Sequence, residues 1–253
     1  MFATLWHTLF FDPIYNLLIV ILDYVPGGDV GLAIVVLTVL IKLVLLPLSL
    51  RAARTQHAMR TLEPTLSALK ERHKNDREAL ARETFAVYKE AGVNPFAIIA
   101  LTLVQIPIVF ALYLSVSRGG GVPFPEINTA LLYSFVPPPG MVDMIFLGIV
   151  NIAGRSLPLA LLAGLTQFIH GKLSLPPLAP REKDAKPSLK DDFARSMHLQ
   201  MRYALPLVIF FVAYTISATI GLYLLVSNLA AIAQEFVVRR KIPGYNGHNQ
   251  PTS

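Results

Sequence analysis

The sequence predicts an all-α membrane protein, with a five-transmembrane-helix core bundle, a cytoplasmic helical hairpin and an N-terminal interfacial helix. Three observations support this fold class. Of the 253 residues, 54% are hydrophobic and only 15% are charged, and the mean hydropathy is +0.54. In soluble domains, about a quarter of all residues are usually charged. Several apolar runs are long enough for helices that cross a bilayer. The basic residues cluster in alternate segments between these runs.

Residues 1–29 are predicted to form an interfacial helix on the outer face of the membrane. The apolar residues that recur there at helical spacing are Phe2, Leu5, Trp6, Leu9 and Phe10. We expect Asp12 and Pro13 to interrupt this helix, and the apolar run at 14–22 is too short to cross a bilayer alone. The segment has no basic start and no A-x-A cleavage site, so a signal peptide is not expected. The alternative is a sixth span, which would place the N-terminus inside.

The core, residues 30–240, is predicted to contain five membrane-spanning helices. A 21-residue apolar helix is about 30 Å long, the thickness of the hydrocarbon core. The fourth and fifth spans form a tight hairpin that turns near residues 218–221. Several spans are short, a mismatch that local thinning of the bilayer would relieve. The predicted spans are approximately residues 30–50, 96–116, 157–171, 203–217 and 220–238.

The distribution of basic residues predicts the orientation. Residues 51–90 carry nine Lys and Arg residues, residues 172–202 carry seven, and the segment after residue 238 carries three. The 117–155 loop carries only Arg118 and Arg155, and the first 41 residues carry none. By the positive-inside rule, the three basic segments are cytoplasmic. The N-terminus is then outside, and the short tail at 241–253 is cytoplasmic.

The cytoplasmic segment at 51–90 is predicted to form a hairpin of two antiparallel helices. An amphipathic helix is indicated by the spacing of Met59, Leu62, Leu66 and Leu69, and the polar residues 73–77 suit a turn. The hairpin could be a docking surface for an acidic or RNA-bearing partner, or a solvated connector whose charge only sets the topology. The basic residues that would form the docking surface are Arg60, Lys70, Arg72, Lys74 and Arg77.

Two further loops are predicted from composition. Residues 172–202 combine four prolines with mixed charges, which is typical of a flexible cytoplasmic loop. In the outer loop, the apolar residues 141–150 are expected to lie on the outer membrane interface.

Lys42 is the only basic residue inside a strongly apolar run, and such a lysine costs about 2.5–3.5 kcal/mol to insert at the centre of a helix. It could snorkel to the interface without a function. Gln105 and Asn228 are less able than Ser or Thr to bond back to their own helix, so each is expected to face the bundle or a wet cavity. Ordinary interhelical hydrogen bonding is the alternative for both. Together with Lys42 they could line one hydrophilic cavity.

The sequence contains no strong enzyme motif. It has no phosphate-binding glycine loop, no H-E-x-x-H and no G-x-S-x-G. Cysteine is absent, which excludes disulfides, thiolate metal sites and cysteine nucleophiles. No carboxylate lies deep in a predicted span, which disfavours a cation pump. We therefore expect no cofactor, no metal site and no DNA partner.

Five short motifs recur in a defined order along the chain. They are residues 31–48, Met59 with Leu62-Glu63-Pro64, Tyr88 with Val93-Asn94-Pro95, Gln105-Ile106-Pro107-Ile108 with Ala111-Leu112-Tyr113, and Gly221-Leu222-Tyr223 with Ser227-Asn228-Leu229 and Gln234. Each motif alone is weak, but their order and spacing agree over most of the chain. Taken together, the motifs resemble those of YidC-type membrane insertases, the YidC/Oxa/Alb family.

The resemblance implies an insertase of the bacterial inner membrane, acting without covalent chemistry on nascent membrane proteins in the lipid bilayer. It implies five core helices and a hydrophilic groove that is open to the cytoplasm and closed outward. Lys42 stands where the family usually has Arg, which keeps the charge but loses the planar fork. A ribosome and a Sec-type translocon are implied as further partners. The groove residues would be Lys42, Thr38, Gln105, Asn228, Tyr223 and Gln234.

Without the resemblance, the residues leave two other functions open. One is a small transporter or channel for an anionic solute that uses Lys42, and the other is a passive assembly scaffold. A transporter predicts a path through both faces of the membrane. An insertase predicts nascent chains that crosslink to a groove closed on the outside.

Overall fold

The computed structural model describes residues 2–74, 76–94, 96–174, 196 and 199–241. The loop predicted at 172–202 and the tail predicted at 241–253 lie almost entirely outside the described residues.

Helix α1 is continuous from residue 2 to residue 24. It consists of the α-helical turn Phe2–Trp6, the π-helical turn His7–Phe11 and the α-helix Asp12–Tyr24. The prediction that Asp12 and Pro13 interrupt the helix is therefore wrong. In the π-helical turn the Asp12 N–H donates to the His7 carbonyl, and Pro13 follows in the first turn of the next segment, a position that tolerates its missing N–H.

The predicted first core span is broken into two helices. Helix α2 covers Val30–Val44 and helix α3 covers Leu46–Thr61, so the apolar run is not one continuous 21-residue helix. The break at Leu45 comes two residues before Pro47. A proline has no N–H to donate and disfavours the helical conformation of the residue before it, so a helix ends readily just upstream and resumes with proline in its first turn.

Two short helices follow in the basic segment. Helix α4 covers Glu63–Arg72 and helix α5 covers Arg77–Glu90, and the two contact each other. Helix α5 is capped by Asp76, whose carboxylate accepts from the Ala79 N–H at 2.9 Å. Helix α6, Phe96–Ser117, runs through Pro107 without a break.

The remaining elements follow a long loop. Strands β1, Ile145–Phe146, and β2, Val150–Asn151, pair in antiparallel fashion within the segment that was expected to lie as an apolar stretch on the interface. Among the described residues, the α-helices after this loop are α7 at Leu157–Ser174, α8 at Leu205–Ile216 and α9 at Ala218–Lys241. Extended backbone at Ser217 separates α8 from α9.

Three helices among the described residues are long and apolar enough to cross a membrane: Ala3–Tyr24, Phe96–Ser117 and Ala218–Val238. There are four if Val30–Val44 and Leu46–Gln56 count as one broken span. The predicted number of five is not confirmed. The apolar helix Arg202–Ile216 is only about 22 Å long at 1.5 Å per residue. In α7 the polar residues Gln167, His170 and Lys172 interrupt the apolar character.

The length of Ala3–Tyr24 also bears on the N-terminal segment. Its 22 residues would suffice for a span, and Leu5 and Leu9 are exposed. Both the interfacial helix and the sixth span therefore remain hypotheses for residues 1–29.

The chain divides into two compact units. The first comprises Met1–Leu43 and Ile106–Ile232, and the second comprises Val44–Gln105 and Ala233–Ser253. The core of the first unit is apolar and includes the fully buried side chains of Leu18, Ile34, Leu112, Ile152 and Leu222.

Within the first unit, α7 and α8 pack closely through small residues. Ala160, Ala163 and Ala213 are buried at this contact. A Cβ added to Gly164 would lie 3.1 Å from the Cβ of Phe210, which shows how near the two helices approach. Small residues at helix interfaces are typical of membrane bundles, where close packing replaces the hydrophobic effect.

The long loop at 118–156 is fastened to α1 by buried polar groups. Asn16 donates to the Leu131 carbonyl at 2.9 Å and accepts from the Tyr133 N–H at 2.7 Å. The Tyr15 hydroxyl accepts from the Asn128 N–H at 2.9 Å. Both side chains are buried, so these bonds form where water cannot compete.

The same loop covers the start of α2. The Asp29 carboxylate accepts from the Leu32 N–H at 3.0 Å as a helix cap and from the Leu147 N–H at 2.8 Å. At Gly31 the loop comes so close that an added Cβ would lie 2.3 Å from the Phe146 ring. Only a residue without a side chain fits here.

The loop also holds the start of α9. The Ser217 and Thr219 hydroxyls both donate to the Ile152 carbonyl, at 3.3 and 3.1 Å. The Ala218 N–H donates to the Gly154 carbonyl at 2.7 Å. One loop therefore contacts α1 and the first turns of α2 and α9, and covers this end of the first unit.

Candidate functional site

Lys42 lies in the last turn of α2, not in the middle of a long span. Its side chain is half-buried, and the neighbouring Val39, Leu40, Leu43 and Val44 are exposed apolar residues. Because α2 ends at Val44, the ammonium group is near the carbonyl end of a helix. That end carries partial negative charge and favours a cation. The helix break therefore offsets part of the cost of placing a lysine in an apolar run.

His170 on α7 lies within electrostatic range of Lys42, whose charge acts on the imidazole. His170 is itself half-buried. His170 is not among the predicted site residues, so its position within electrostatic range of Lys42 is information that the structure adds.

Thr166 lies one turn before His170, on the same side of α7, and contacts Asn228 of α9. The Asn228 amide donates to the Thr166 hydroxyl at 3.3 Å and to the Ala163 carbonyl at 3.2 Å. Asn228 thus makes the interhelical hydrogen bonds that were one of its two predicted roles. Thr166 was not predicted as a site residue, although its i,i+4 spacing to His170 is a signal that could have found it.

Thr38 and Tyr223 belong to the interior of the first unit. Thr38 is fully buried, and its hydroxyl donates to the Ile34 carbonyl at 2.6 Å, within its own helix. Tyr223 is 1% exposed. Neither side chain has an accessible surface of its own in this structure, and a groove role for either one stays a prediction.

The other two predicted groove residues lie in the second unit. Gln105 is half-buried in α6. Gln234 of α9 accepts a hydrogen bond from the Ser49 hydroxyl at 2.8 Å, which joins α9 to α3 within this unit. Of the six predicted groove residues, the first unit therefore contains four: Lys42, Thr38, Tyr223 and Asn228.

The predicted docking residues lie on the two short helices and their connection. Lys70, Arg72 and Arg77 are exposed, and Lys74 is exposed and paired with Glu71. The Arg60 side chain lies outside the described part of the chain. His73 Nε2 lies 3.1 Å from Glu83 Oε1, which links the turn to α5. These exposed cations form a surface that an anionic partner can contact.

A pocket of about 670 Å³ lies at the base of these helices, within the second unit. Arg51 and Arg54 line it one turn apart, with Asn94 and Phe96 across from them. The Thr55 hydroxyl donates to the Asn94 carbonyl at 3.3 Å and ties α3 to the start of α6. The pocket combines two cations with an apolar wall. No group of three or more His, Cys, Asp or Glu residues that could hold a metal occurs in the described ranges.

Sequence comparison identifies the family. A family model described as 60Kd inner membrane protein matches residues 21–245. The chain belongs to this family. The match covers α2 to α9 and includes Lys42, Thr166, His170 and Asn228. The resemblance to YidC-type proteins that the motifs predicted is confirmed.

Members of the 60Kd inner membrane protein family similar to this chain are named membrane protein insertase YidC. One from Pelobacter propionicus is 29% identical over 240 residues, which is 94% of this chain and 40% of that protein. One from Francisella tularensis subsp. novicida is 30% identical over 213 residues, 84% of this chain and 33% of that protein. The chain therefore spans less than half the length of these relatives. Family membership and the apolar helices make it a multi-pass membrane protein.

Proposed function

We propose that this chain is a membrane protein insertase that works without covalent chemistry. The observation that carries the proposal is the family match over residues 21–245, together with a lysine placed in an apolar helix of the matched region. Relatives that share this region are named insertases. The clients would be nascent membrane proteins, which meet the protein in the bilayer of the bacterial inner membrane.

Lys42 would attract and hydrate the short polar flank of a client. A flank that enters the membrane loses water, and each unpaired polar group then costs several kcal/mol. The half-buried Lys42, within electrostatic range of His170, offers donors and a positive charge at that point. An acidic flank gains most, because a cation–carboxylate hydrogen bond is about twice as strong as a neutral one.

Thr38, Asn228 and Tyr223 would support this site rather than bind the client directly. Asn228 and Thr166 hold α9 against α7, the helix that carries His170. The hydrogen bond of Thr38 is within α2, one turn before Lys42. The first bond would hold α7 and its His170 in place, and the second would stabilise the turn of α2 before Lys42.

The client's hydrophobic segment would then leave directly into lipid. Exposed apolar residues on α7 and α8, among them Leu161, Leu165 and Phe211, provide a surface over which such a segment can slide. The driving force is the burial of apolar surface in the hydrocarbon core. The loop that covers the starts of α2 and α9 would block passage to the outer side.

The orientation and the further partners belong to the same proposal. The N-terminus would be outside and the C-terminus cytoplasmic, as the basic segments predict. The cations of α4 and α5 would then face the cytoplasm, where a ribosome or a Sec-type translocon presents the client. The pocket beside Arg51 and Arg54 lies at the base of these helices and would be the first contact for an acidic flank.

The test is protease-protected insertion of a single-span client with a short acidic flank into reconstituted liposomes. Wild type and Lys42→Arg should insert the client. The Lys42→Ala variant should insert the client about tenfold more slowly, the factor that corresponds to the loss of about 1.4 kcal/mol of interaction free energy. Lys172→Ala is the matched control, because Lys172 is an exposed lysine at the end of α7.

Each outcome separates the hypotheses. Equal insertion by wild type and Lys42→Ala would show an insertase in which Lys42 has no role. Insertion no better than in empty liposomes, combined with flux of a small anion, would favour a transporter instead.

A further inference from the structure

A second pocket lies in the first unit, separate from Lys42 and its neighbours. It has a volume of about 620 Å³ and is formed by α1, the end of α6 and the turn that follows α6. One wall is apolar and consists of Trp6, Phe11 and Leu114. The other wall is polar and consists of His7, Ser117 and Arg118. Its residues take no part in the proposed insertion site.

Two polar groups in this pocket have no partner among the described residues. The Arg118 guanidinium is exposed and makes no ion pair or hydrogen bond there. The Ser117 hydroxyl is buried and has no hydrogen-bond partner. A buried hydroxyl is nearly always hydrogen-bonded in a native protein, so an unpartnered one in a pocket wall points to a ligand that completes it.

The turn after α6 brings backbone to the same place. Gly120 and Gly121 have positive φ angles of 66° and 122°, and both line the pocket. Residues with side chains rarely adopt such backbone angles. At Gly121 no atom lies within 4 Å of the position of an added Cβ, so a ligand can approach the backbone there. Turns of this kind form concave backbone surfaces that suit anions.

Asp12, an acid that contacts the pocket-lining His7, is already engaged. His7 Nδ1 lies 2.8 Å from the Asp12 carboxylate, which therefore faces the histidine. Asp12 does not line the pocket. The positive charge of Arg118 is thus available to a negatively charged ligand.

The apolar wall indicates that the ligand is amphiphilic. Trp6 is the type of residue that concentrates at the membrane interface, and the exposed Leu5 and Leu9 flank it on α1. A free anion would use only the polar wall. A phospholipid would place its phosphate at Arg118 and Ser117 and the beginning of an acyl chain along Phe11 and Leu114.

We propose that this pocket binds the phosphate group of an anionic membrane phospholipid such as phosphatidylglycerol. Arg118 would form the charged contact, since guanidinium groups match the geometry of phosphate oxygens. The Ser117 hydroxyl would donate a further hydrogen bond. A zwitterionic lipid would bind less well, because its ammonium group would approach the same guanidinium.

The experiment uses the fluorescence of Trp6, which is the only tryptophan in the chain. The full chain in detergent is titrated with phosphatidylglycerol that carries brominated acyl chains, which quench a nearby tryptophan on contact. Brominated phosphatidylcholine is titrated in parallel. We expect phosphatidylglycerol to reach half-maximal quenching at about a tenfold lower mole fraction.

Variants test the two polar groups. Arg118→Gln should abolish the difference between the two lipids, and Arg118→Lys should retain part of it, which shows that the pocket is still folded. Ser117→Ala should weaken phosphatidylglycerol binding by about threefold, the effect of one ordinary hydrogen bond. Arg155→Gln is the matched control, since Arg155 is an exposed arginine of the same loop that does not line the pocket.

Further arms separate a lipid from a free anion. Unbrominated phosphatidylglycerol should relieve the quenching, and millimolar inorganic phosphate should not. Relief by inorganic phosphate would overturn the lipid assignment in favour of a soluble anion. Equal quenching by the two lipids in the wild type, or an unchanged preference in Arg118→Gln, would overturn the proposal.

Discussion

The side-chain amide of Asn228 lies 3.3 Å from the hydroxyl oxygen of Thr166 and joins the last helix to α7. One turn further along α7, His170 lies within reach of the Lys42 charge. The same face of α7 thus supports the packing of α9 and carries the imidazole on which the Lys42 charge acts. A substitution at Asn228, which holds α9 against α7, should therefore affect mainly stability. A substitution at Lys42 should affect mainly function.

We expect Asn228→Ala to lower the stability of the protein in detergent by about 0.6–2 kcal/mol, the usual range for interhelical hydrogen bonds in membranes. Client insertion at a temperature well below unfolding should change little. Asn151→Ala is the control, because Asn151 is exposed and its hydrogen bond to the Ala153 N–H is local. Thermal unfolding followed by circular dichroism gives the stability. Normal stability with lost insertion would instead assign Asn228 a direct contact with the client.

Gly31→Ala should destabilise the protein by roughly 1–3 kcal/mol, as overpacked substitutions do. The added Cβ would lie within 2.5 Å of three Phe146 atoms, including its Cβ, so rotation of the ring cannot relieve the clash. The double variant Gly31→Ala/Phe146→Ala should lose less than the sum of the two single variants.

Gly171→Ala is the matched control for Gly31→Ala. It lies in α7 with no atom near the position of an added Cβ, and it should stabilise by up to about 1 kcal/mol through helix propensity. Additive losses in the Gly31/Phe146 cycle would show that the loop does not press on α2 in the membrane.

Asn16→Ala should loosen the attachment of the loop to α1. The substitution removes the hydrogen bonds to the Leu131 carbonyl and the Tyr133 N–H, and an unsatisfied buried backbone group costs about 1–3 kcal/mol. Hydrogen exchange at the Tyr133 amide should accelerate by roughly tenfold or more. The Leu147 amide donates to the Asp29 carboxylate, so its exchange reports on the attachment of the loop to α2 and should change less.

For Asn16→Ala, uniform acceleration at both amides would mean that the loop opens as a single unit. Unchanged exchange at Tyr133 would contradict the hydrogen bond itself.

The combined variant Lys70→Gln, Arg72→Gln and Arg77→Gln should weaken the binding of ribosomes to proteoliposomes. These exposed cations are the proposed contacts to an RNA-bearing partner, and each phosphate contact adds about one unit to the salt dependence of log K. The slope should therefore fall by about two to three. Co-sedimentation at increasing salt measures it. Arg155→Gln, on the loop predicted to face the other side, is the control, and an unchanged slope in the combined variant would make α4 and α5 a solvated connector.

Local features of the fold were predictable because they depend on neighbouring residues. Apolar runs and helical spacing predicted most helices to within a few residues, and the motifs at Tyr88, Gln105 and Asn228 predicted the family. The break at Leu45 was missed although Pro47 was a signal for it, since the apolar run on both sides favoured one span. Pro13 does not end the helix as predicted, because it follows a π-helical turn and lies in the first turn of the next segment, where its missing N–H is tolerated.

The sequence by itself determined that the chain is helical, enters the membrane and carries one lysine in an apolar run, because hydropathy and charge are properties of the residues themselves. Only the tertiary structure decided that Lys42 lies at the end of a broken helix within electrostatic range of His170, that Asn228 bonds to Thr166, and that one loop holds α1, α2 and α9. These contacts join residues far apart in the chain, as in the 115-residue separation of Asn16 and Leu131. Packing selects such pairs, and no local pattern encodes them.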